Sequence, residues 1–294
     1  MASPIPKSIP GPHADPHRPL TFTPPPNATD AHCHVFGPAA KFPFAPNRAY
    51  TPPDSGIEDF EVLQARLGLS RAVFVQASCH GTDNAAMVDA LMRGGGRYAG
   101  VAMIDESFGN GAIADLHAAG VRGTRFNFVA HLGGAPDLDE FWRIVHRVAP
   151  LGWHIVLHFD AKDIPTYVDL LGRMPCPYVI DHMGRVPVTD GLDQAPFQAL
   201  LELMRDERAW VKISGAERLS ATGAPPYDDV VPYARALIAA APDRILWGTD
   251  WPHPNVRVTP DDGDLVDLLT QFAPDPAVRD TILVANPERL YEFG

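Results

Sequence analysis

The chain has 294 residues, with 24 Lys and Arg against 36 Asp and Glu, so its formal net charge is −12. Hydrophobic residues make up 46% of it, which supplies a large core and excludes a disordered chain. The acidic balance disfavours a general nucleic-acid binder, because such proteins present basic patches to phosphates. It still allows a small anionic substrate in a pocket with local cations.

The cysteine pattern and the first residues bear on the compartment. Cys33, Cys79 and Cys176 form no CxxC pair and are odd in number, which disfavours a disulfide framework and favours a reducing cytoplasm. Residues 1–27 are rich in proline and carry no long apolar run, so we predict a surface leader rather than a signal peptide or membrane anchor. We therefore expect a cytoplasmic protein with no membrane partner.

From residue 28 to residue 294, strand-like runs alternate with amphipathic stretches in one predicted domain. The predicted strands are 28–35, 72–77, 98–104, 121–128, 154–159, 178–181, 210–213 and 244–247. The predicted helices are 57–67, 84–92, 111–119, 138–148, 164–171, 197–205, 228–240 and 264–272, with a last helical segment at 276–284. Eight βα units predict a single (β/α)₈ TIM-type barrel, whose active site lies at the C-terminal ends of the strands. An open doubly wound sheet is the alternative, weakened because no Gly-rich phosphate loop follows the first strand.

Histidines gather at the predicted strand ends. His32 and His34 alternate by two, which places both side chains on one face of the first strand, toward the barrel interior. Two inward imidazoles suit a divalent metal, although a hydrogen-bonded core pair is the alternative. Because His158, His182 and Asp250 end three other strands, we predict one shared catalytic centre.

Three aspartates lie on or beside these strands. Asp250 follows the run ILWGTD, and a carboxylate at a packed barrel mouth must be paired, protonated or metal-bound. Its alternative role is to cap the helix that follows. Asp30 lies toward the other end of its strand and is interpreted as structural, whereas Asp181 is predicted to orient a neighbouring side chain.

Cations near the predicted mouth point to an anionic substrate. Arg125, Arg218, Lys212 and Arg185 are the candidates, and arginine binds carboxylates in a forked geometry. Ordinary surface ion pairs are the alternative. Arg125 is favoured because it lies two residues before Asn127, so both side chains point the same way. The absence of a GxSxG motif disfavours a serine hydrolase.

Several longer segments carry a resemblance to a known family. They are DAHCHVFGP, FPFAP, VQASCHGTDNAA, GVRGTRFNF, GWHIV, VIDHMGR, ERLSATGAPP and WGTDWPHPN, and the C-terminal NPERLY also fits. On these residues the chain resembles the amidohydrolase superfamily and, within it, the 2-pyrone-4,6-dicarboxylate hydrolase family. The resemblance runs from residue 30 to about residue 255, nearly the whole predicted barrel.

The resemblance implies hydrolysis of the lactone ester of an anionic intermediate of aromatic-compound degradation by an activated water. It implies that Asp250 is the general base and that His182, with His32 and His34, polarises the lactone carbonyl. The residues implied to hold the substrate's carboxylates are Tyr50, Ser78, Arg125 and Arg218.

Two positions depart from that family's pattern. Ala130 and His131 stand where the family tends to carry Lys-Arg, and His131 is predicted to be a substrate-binding donor in its place. His158 stands where the family tends to carry tyrosine. The added imidazole predicts one divalent metal, zinc, held by His32, His34, His158 and Asp250. A metal-free mechanism is the alternative.

Other activities compete with hydrolysis of the pyrone dicarboxylate. One is zinc-dependent hydrolysis of a related lactone such as 4-sulfomuconolactone. Another, from a different class, is metal-dependent decarboxylation of the aminocarboxymuconate semialdehyde type. A non-enzymatic binding protein is the remaining possibility, and the sequence predicts no particular oligomeric state.

Overall fold

The computed structural model describes residues 7–13, 19–129 and 134–294. Eight strands pair in parallel, each with the next along the chain. They are β1 (Thr29–Cys33), β2 (Arg71–Val75), β3 (Tyr98–Ala102), β4 (Val121–Asn127), β5 (His154–His158), β6 (Tyr178–Ile180), β7 (Ala209–Lys212) and β8 (Ile245–Leu246).

Hydrogen bonds between the first and last strand regions close the sheet. The Ala31 amide donates to the Trp247 carbonyl and the Asp250 amide donates to the His32 carbonyl, both at 2.8 Å. The predicted barrel is therefore confirmed and the open-sheet alternative is wrong. The strand ends that carry the polar residues converge at one mouth, as this architecture requires.

Helices cover the outside of the barrel. They are α1 (Ile57–Leu67), α2 (Ala85–Gly94), α3 (Asn110–Ala118), α4 (Leu138–Val148), α5 (Ile164–Gly172), α6 (Ala195–Leu203), α7 (Ala216–Leu219), α8 (Val231–Ala240), α9 (Asp262–Phe272), α10 (Pro276–Asp280) and α11 (Asn286–Tyr291). In α4 the Asp137 side chain caps the first turn by accepting from the Asp139 and Glu140 amides. The helix then buries Phe141 and Ile144, one turn apart, against the barrel.

The core has two layers because the strands are buried on both faces. Side chains that fill the barrel interior are mostly small and branched, including Val73, Val101 and Val156. Tyr291, from the last helix, packs into this cluster. Larger aromatic side chains fill the layer between strands and helices. With the interior packed, the chemistry is confined to the mouth.

Several predicted boundaries differ from the structure. The helix predicted from residue 228 begins at Val231, because Pro232 fits only the first turn of a helix. The segment predicted as 276–284 is α10 followed by a π-helical stretch, Thr281–Ala285. The short helices α7 and α11 were not predicted.

Described parts of the N-terminal segment lie against the barrel. Lys7–Ser8 pairs in parallel with Tyr50–Thr51, a ladder that the sequence pattern did not predict. The Thr21 amide donates to Asp267 Oδ1 at 2.7 Å. The division into a leader, 1–27, and a barrel, 28–294, stays a prediction. Among the described residues, the structure contains no helix with the length and apolar character needed to cross a membrane.

Candidate active site

A small cavity lies at the barrel mouth, with a volume of about 40 Å³. Most of the predicted site residues line it: His34, Tyr50, Ser78, Arg125, His158, His182, Arg218 and Asp250. His32 lies beneath this lining and is fully buried. Asn127 contacts His158 instead of lining the cavity. His131 lies outside the described residues.

The end of β1 places two imidazoles beneath the mouth. Between Asp30 and Cys33 the pairing with β2 shifts by one residue, a bulge of the kind that re-aims side chains near active sites. The rings of His32 and His34 lie 5.1 Å apart, edge to face. Both side chains are buried. The prediction that they share the barrel interior is confirmed.

Asp250 lies at the centre of the site. Its Oδ1 is 3.1 Å from His34 Nε2, 3.5 Å from His32 Nε2 and 4.0 Å from His182 Nε2. Its Oδ2 accepts from Arg218 Nε at 2.7 Å. The two carboxylate oxygens therefore face different partners, imidazoles on one side and a guanidinium on the other.

The electrostatics keep Asp250 ionised. Burial alone would raise the pKa of Asp250, but the Arg218 guanidinium and the nearby imidazoles outweigh it and hold that pKa well below its usual range. The carboxyl group of Asp250 is therefore a proton acceptor at neutral pH.

His34 lies between a backbone carbonyl and the carboxylate of Asp250. Its Nδ1 lies 2.7 Å from the carbonyl oxygen of Val75, which can only accept, so Nδ1 carries a proton. Its Nε2 faces Asp250 Oδ1, another acceptor. Both ring nitrogens of His34 therefore lie against oxygen acceptors, and Nε2 is in direct contact with the carboxylate of Asp250.

His158 and His182 are neutral imidazoles. Burial lowers the pKa of His182 to about 4, and it lowers the pKa of His158 well below the usual value, with Arg125 adding to that effect. His182 Nδ1 lies 2.9 Å from Ser214 Oγ, and His158 Nδ1 lies 3.2 Å from Asn127 Oδ1. Because an amide oxygen only accepts, the second nitrogen of His158 keeps its lone pair.

A buried ionic network supports His32 from below. Asp181 Oδ1 lies 3.3 Å from His32 Nδ1 and 3.2 Å from Lys212 Nζ, and Asp181 Oδ2 lies 3.1 Å from Arg125 Nε. Asp181 therefore contacts His32, Lys212 and Arg125, and its role in orienting a neighbouring side chain stays a prediction. The prediction that Lys212 supplies a cation at the mouth is wrong, since Lys212 is fully buried and lies 2.9 Å from His32 Nδ1.

The predicted arginines reach the cavity, but each has a carboxylate partner. Arg125 pairs with Asp181 and Arg218 pairs with Asp250. Arg185 Nε donates to Asp160 Oδ1 at 2.7 Å. The sequence predicted that these arginines lie at the mouth, but it did not predict their carboxylate partners, which are distant in the chain.

Two groups of side chains have the arrangement of a metal site. The ligand atoms of His32, His34 and Asp250 lie within 4.8 Å of one another, as do those of His32, Asp181 and His182. His158 belongs to neither group. His32 Nε2 is buried and has no hydrogen-bond partner among the described residues. Imidazole and carboxylate donors around such an atom fit a divalent cation.

Thr249 is a supporting residue that sequence analysis missed. Asp30 accepts from the amides of His32 and Thr249 and, at 2.6 Å, from the Thr249 hydroxyl. The Trp251 amide donates to the same hydroxyl at 3.0 Å. Asp250, which lies between Thr249 and Trp251 in the chain, has a positive φ of 63°. This backbone conformation is strained for a residue with a Cβ. The structural role predicted for Asp30 is confirmed, and the only sequence signal for Thr249 was its place next to Asp250.

Comparisons with known proteins agree with this geometry. The chain is 48% identical to 2-pyrone-4,6-dicarboxylate hydrolase of Comamonas testosteroni, covering 95% of this chain and 94% of that protein. It is 44% identical to 4-sulfomuconolactone hydrolase of Rhizobium radiobacter, covering 93% and 92%. It is 32% identical to D-galactarolactone isomerase of Agrobacterium fabrum, covering 92% of each.

A solved structure and a family model complete the comparison. The crystal structure of a probable 2-pyrone-4,6-dicarboxylic acid hydrolase from Acinetobacter baumannii, with citric acid bound, is 27% identical. It superposes with a TM-score of 0.80 over 91% of this chain and all of that one (100%). The amidohydrolase family model matches residues 29–293, which is the whole barrel. The chain therefore belongs to the amidohydrolase family.

Proposed function

We propose that this protein hydrolyses the lactone ester of a small anionic compound such as 2-pyrone-4,6-dicarboxylate. The observation that carries the proposal is the arrangement around Asp250, whose Oδ1 faces three imidazoles while Arg218 holds Oδ2. Lactone hydrolysis needs a base for water and positive charge where the oxyanion forms, and this site has both. The two hydrolase relatives described above act on lactones by name.

Asp250 and His182 carry the proposed chemistry. Oδ1 of Asp250 takes a proton from a water molecule while the water oxygen bonds to the lactone carbonyl carbon. An N–H of neutral His182 stabilises the charge that develops on the carbonyl oxygen. The bond from the acyl carbon to the ring oxygen then breaks, the ring oxygen leaves with the electron pair, and it takes up the proton that Asp250 accepted, which restores the carboxylate.

Binding of the substrate's acidic groups is assigned to the polar rim of the cavity. Arg125 and Arg218 line it together with Tyr50 and Ser78, whose hydroxyl oxygens lie 3.5 Å apart. Asn127 and His131 remain predicted contacts. The citric acid bound to the Acinetobacter baumannii relative supports an anionic ligand.

We also propose that one divalent cation, zinc, binds to His32, His34 and Asp250. The unpartnered His32 Nε2 and the His34 Nε2 that faces a carboxylate support it. His158 is proposed as a further ligand, because its ring lines the cavity next to that of His182. When bound, a divalent ion lowers the pKa of water and polarises a carbonyl oxygen.

Elemental analysis of the purified protein tests the metal. We expect about one zinc per chain, loss of activity after chelation, and lower zinc content in His158→Tyr. Lys41→Ala, which changes an exposed ion pair, is the control. Full activity in a zinc-free preparation would contradict the zinc proposal and support the metal-free mechanism.

The substrate is tested by following ring absorbance with a panel of lactones. We expect 2-pyrone-4,6-dicarboxylate to be consumed with release of acid. The 4-sulfomuconolactone relative makes that lactone the second candidate, and the larger kcat/KM decides between them. Decarboxylation is not favoured, because the relatives described above are named for lactone reactions. Release of CO₂ without ring opening would overturn the proposed function.

A further inference from the structure

A second, larger cavity lies beside the catalytic one. Its volume is about 420 Å³, against about 40 Å³ for the catalytic cavity. Arg185, Arg218 and Asn255 line both cavities and form their common wall. The two spaces therefore adjoin at the guanidinium that holds the catalytic carboxylate.

The catalytic cavity is too small for a whole substrate. One water molecule needs a cavity volume of roughly 10–15 Å³. A cavity of about 40 Å³ therefore holds a few water molecules or one functional group. Pockets that enclose small ligands usually have volumes of about 300–1,000 Å³. A six-membered lactone with charged substituents exceeds this volume when its carbonyl faces Asp250, and the adjoining larger cavity offers space for the rest of it.

The larger cavity carries uncompensated positive charge. Arg185, Arg218 and Arg257 line it, and Glu217 is its single acidic lining residue among those the structure describes. Arg185 and Arg218 already face carboxylates. Arg257 is exposed, and no described carboxylate lies within ion-pair distance of it. In a chain of net charge −12, such a cation raises the local concentration of anions.

We propose that this cavity is an outer subsite for an anionic group of the substrate remote from the reacting carbonyl, with Arg257 as the residue that selects for it. The ligand class is a carboxylate or sulfonate, which a guanidinium binds through two parallel hydrogen bonds. The inference rests on the proposed function, since it assigns part of the same substrate.

The test compares Arg257→Ala with wild type on 2-pyrone-4,6-dicarboxylate and on the two 2-pyrone monocarboxylates. We expect KM for the dicarboxylate to rise about 5- to 10-fold with kcat nearly unchanged, because the variant loses one solvent-exposed charged contact. The monocarboxylate that keeps the carboxylate bound by Arg257 should show the same rise in KM. For the other monocarboxylate, KM should not change. Arg257→Lys should retain part of the affinity. Arg205→Ala makes the same charge change at an exposed site beyond α6 and should have no effect.

Calorimetric binding of 2-pyrone-4,6-dicarboxylate separates this inference from the proposed function. If wild type binds it more tightly than Arg257→Ala but releases no acid, the subsite stands and the proposed hydrolysis fails. Equal affinity in wild type and variant overturns the subsite, whether or not the lactone is hydrolysed. Equal KM changes for both monocarboxylates overturn it too, because the effect would then be general electrostatic attraction.

Discussion

At the scale of single residues, the site depends on one carboxylate whose two oxygens have different partners. Asp250 Oδ2 is held by Arg218, which leaves Oδ1 to face the imidazoles and the cavity. The strained backbone at Asp250 is tolerated because hydrogen bonds on both sides hold it. A side chain of the same shape but without basicity should therefore remove the chemistry and keep the architecture.

Asp250→Asn is the corresponding variant. We expect kcat to fall by about 10³ or more, because an amide cannot accept the proton of water as the carboxylate does. Steady-state kinetics and circular dichroism check this together. Asp89→Asn, which breaks an exposed ion pair with Lys41, should keep full activity. Turnover near wild type in Asp250→Asn would rule out the base.

Residue alternation predicted which side chains share the site but not how their charges are balanced. The spacing of His32 and His34 was sufficient to place both in the barrel interior, since strand side chains alternate. The partners of Arg125 and Lys212 could not be predicted, because both pair with Asp181 from another strand. Such pairings depend on the register between neighbouring strands of the barrel. No pattern in a single sequence predicts that register.

At the scale of elements, the seam between β1 and β8 positions the catalytic group. A Cβ on Gly248 would lie 2.4 Å from the His32 amide nitrogen, so only glycine allows this close approach of the two segments. Asp30 then joins the segments through Thr249, directly before Asp250. We therefore expect the seam residues to affect catalysis although they do not line the cavity.

Thr249→Val tests the seam. The variant keeps the shape of the side chain but removes the hydroxyl, which leaves Asp30 Oδ2 and the Trp251 amide without their partner. We expect the free energy of unfolding to fall by about 1–3 kcal/mol and kcat to fall about tenfold with KM little changed. Thr249→Ser keeps the hydroxyl and should restore kcat. Equal kcat values in the valine and serine variants would contradict a positioning role.

Element prediction succeeded where periodicity was long and failed where it was short. The boundaries of α1 and α4 were predicted to the residue, because apolar residues recur over three turns. The pairing of Lys7–Ser8 with Tyr50–Thr51 was missed, because two residues carry no period. The last barrel strand, β8, is also only two residues long. The residues that follow it, including Asp250, have irregular backbone.

At the scale of the whole molecule, buried neutral histidines make stability depend on pH. His154 lies inside the barrel with its ring against Tyr291, and neither of its ring nitrogens has a hydrogen-bond partner among the described side chains and backbone. Burial lowers its pKa to about 3, and Lys212 adds to that effect. In the unfolded chain the same imidazole titrates near pH 6.5.

The sign of the dependence follows from proton uptake. Between about pH 6.5 and pH 3 the unfolded chain binds a proton at residue 154 that the folded chain does not, so stability falls as pH falls through this window. From pH 6.5 to pH 4 the loss attributable to His154 is about 3 kcal/mol. Urea unfolding of His154→Gln should therefore show a shallower decline than wild type. Parallel declines would show that His154 does not carry the effect.

The barrel itself was predictable because eight βα units leave few other closed arrangements. The outer cavity was not, since Arg185, Arg218 and Arg257 come from three separate segments that follow different barrel strands. Function is therefore easier to predict at the strand ends than at the loops that decide which substrate enters.

Turnover in ¹⁸O-labelled water, with products analysed by mass spectrometry, tests the central claim most directly. If Asp250 directs water onto the lactone carbonyl, each turnover places one ¹⁸O in the new carboxylate of the ring-opened acid, and Asp250→Asn slows the appearance of labelled product by about 10³ or more. An unlabelled isomer of the lactone, or loss of CO₂ from an intact ring, would contradict hydrolysis at this site.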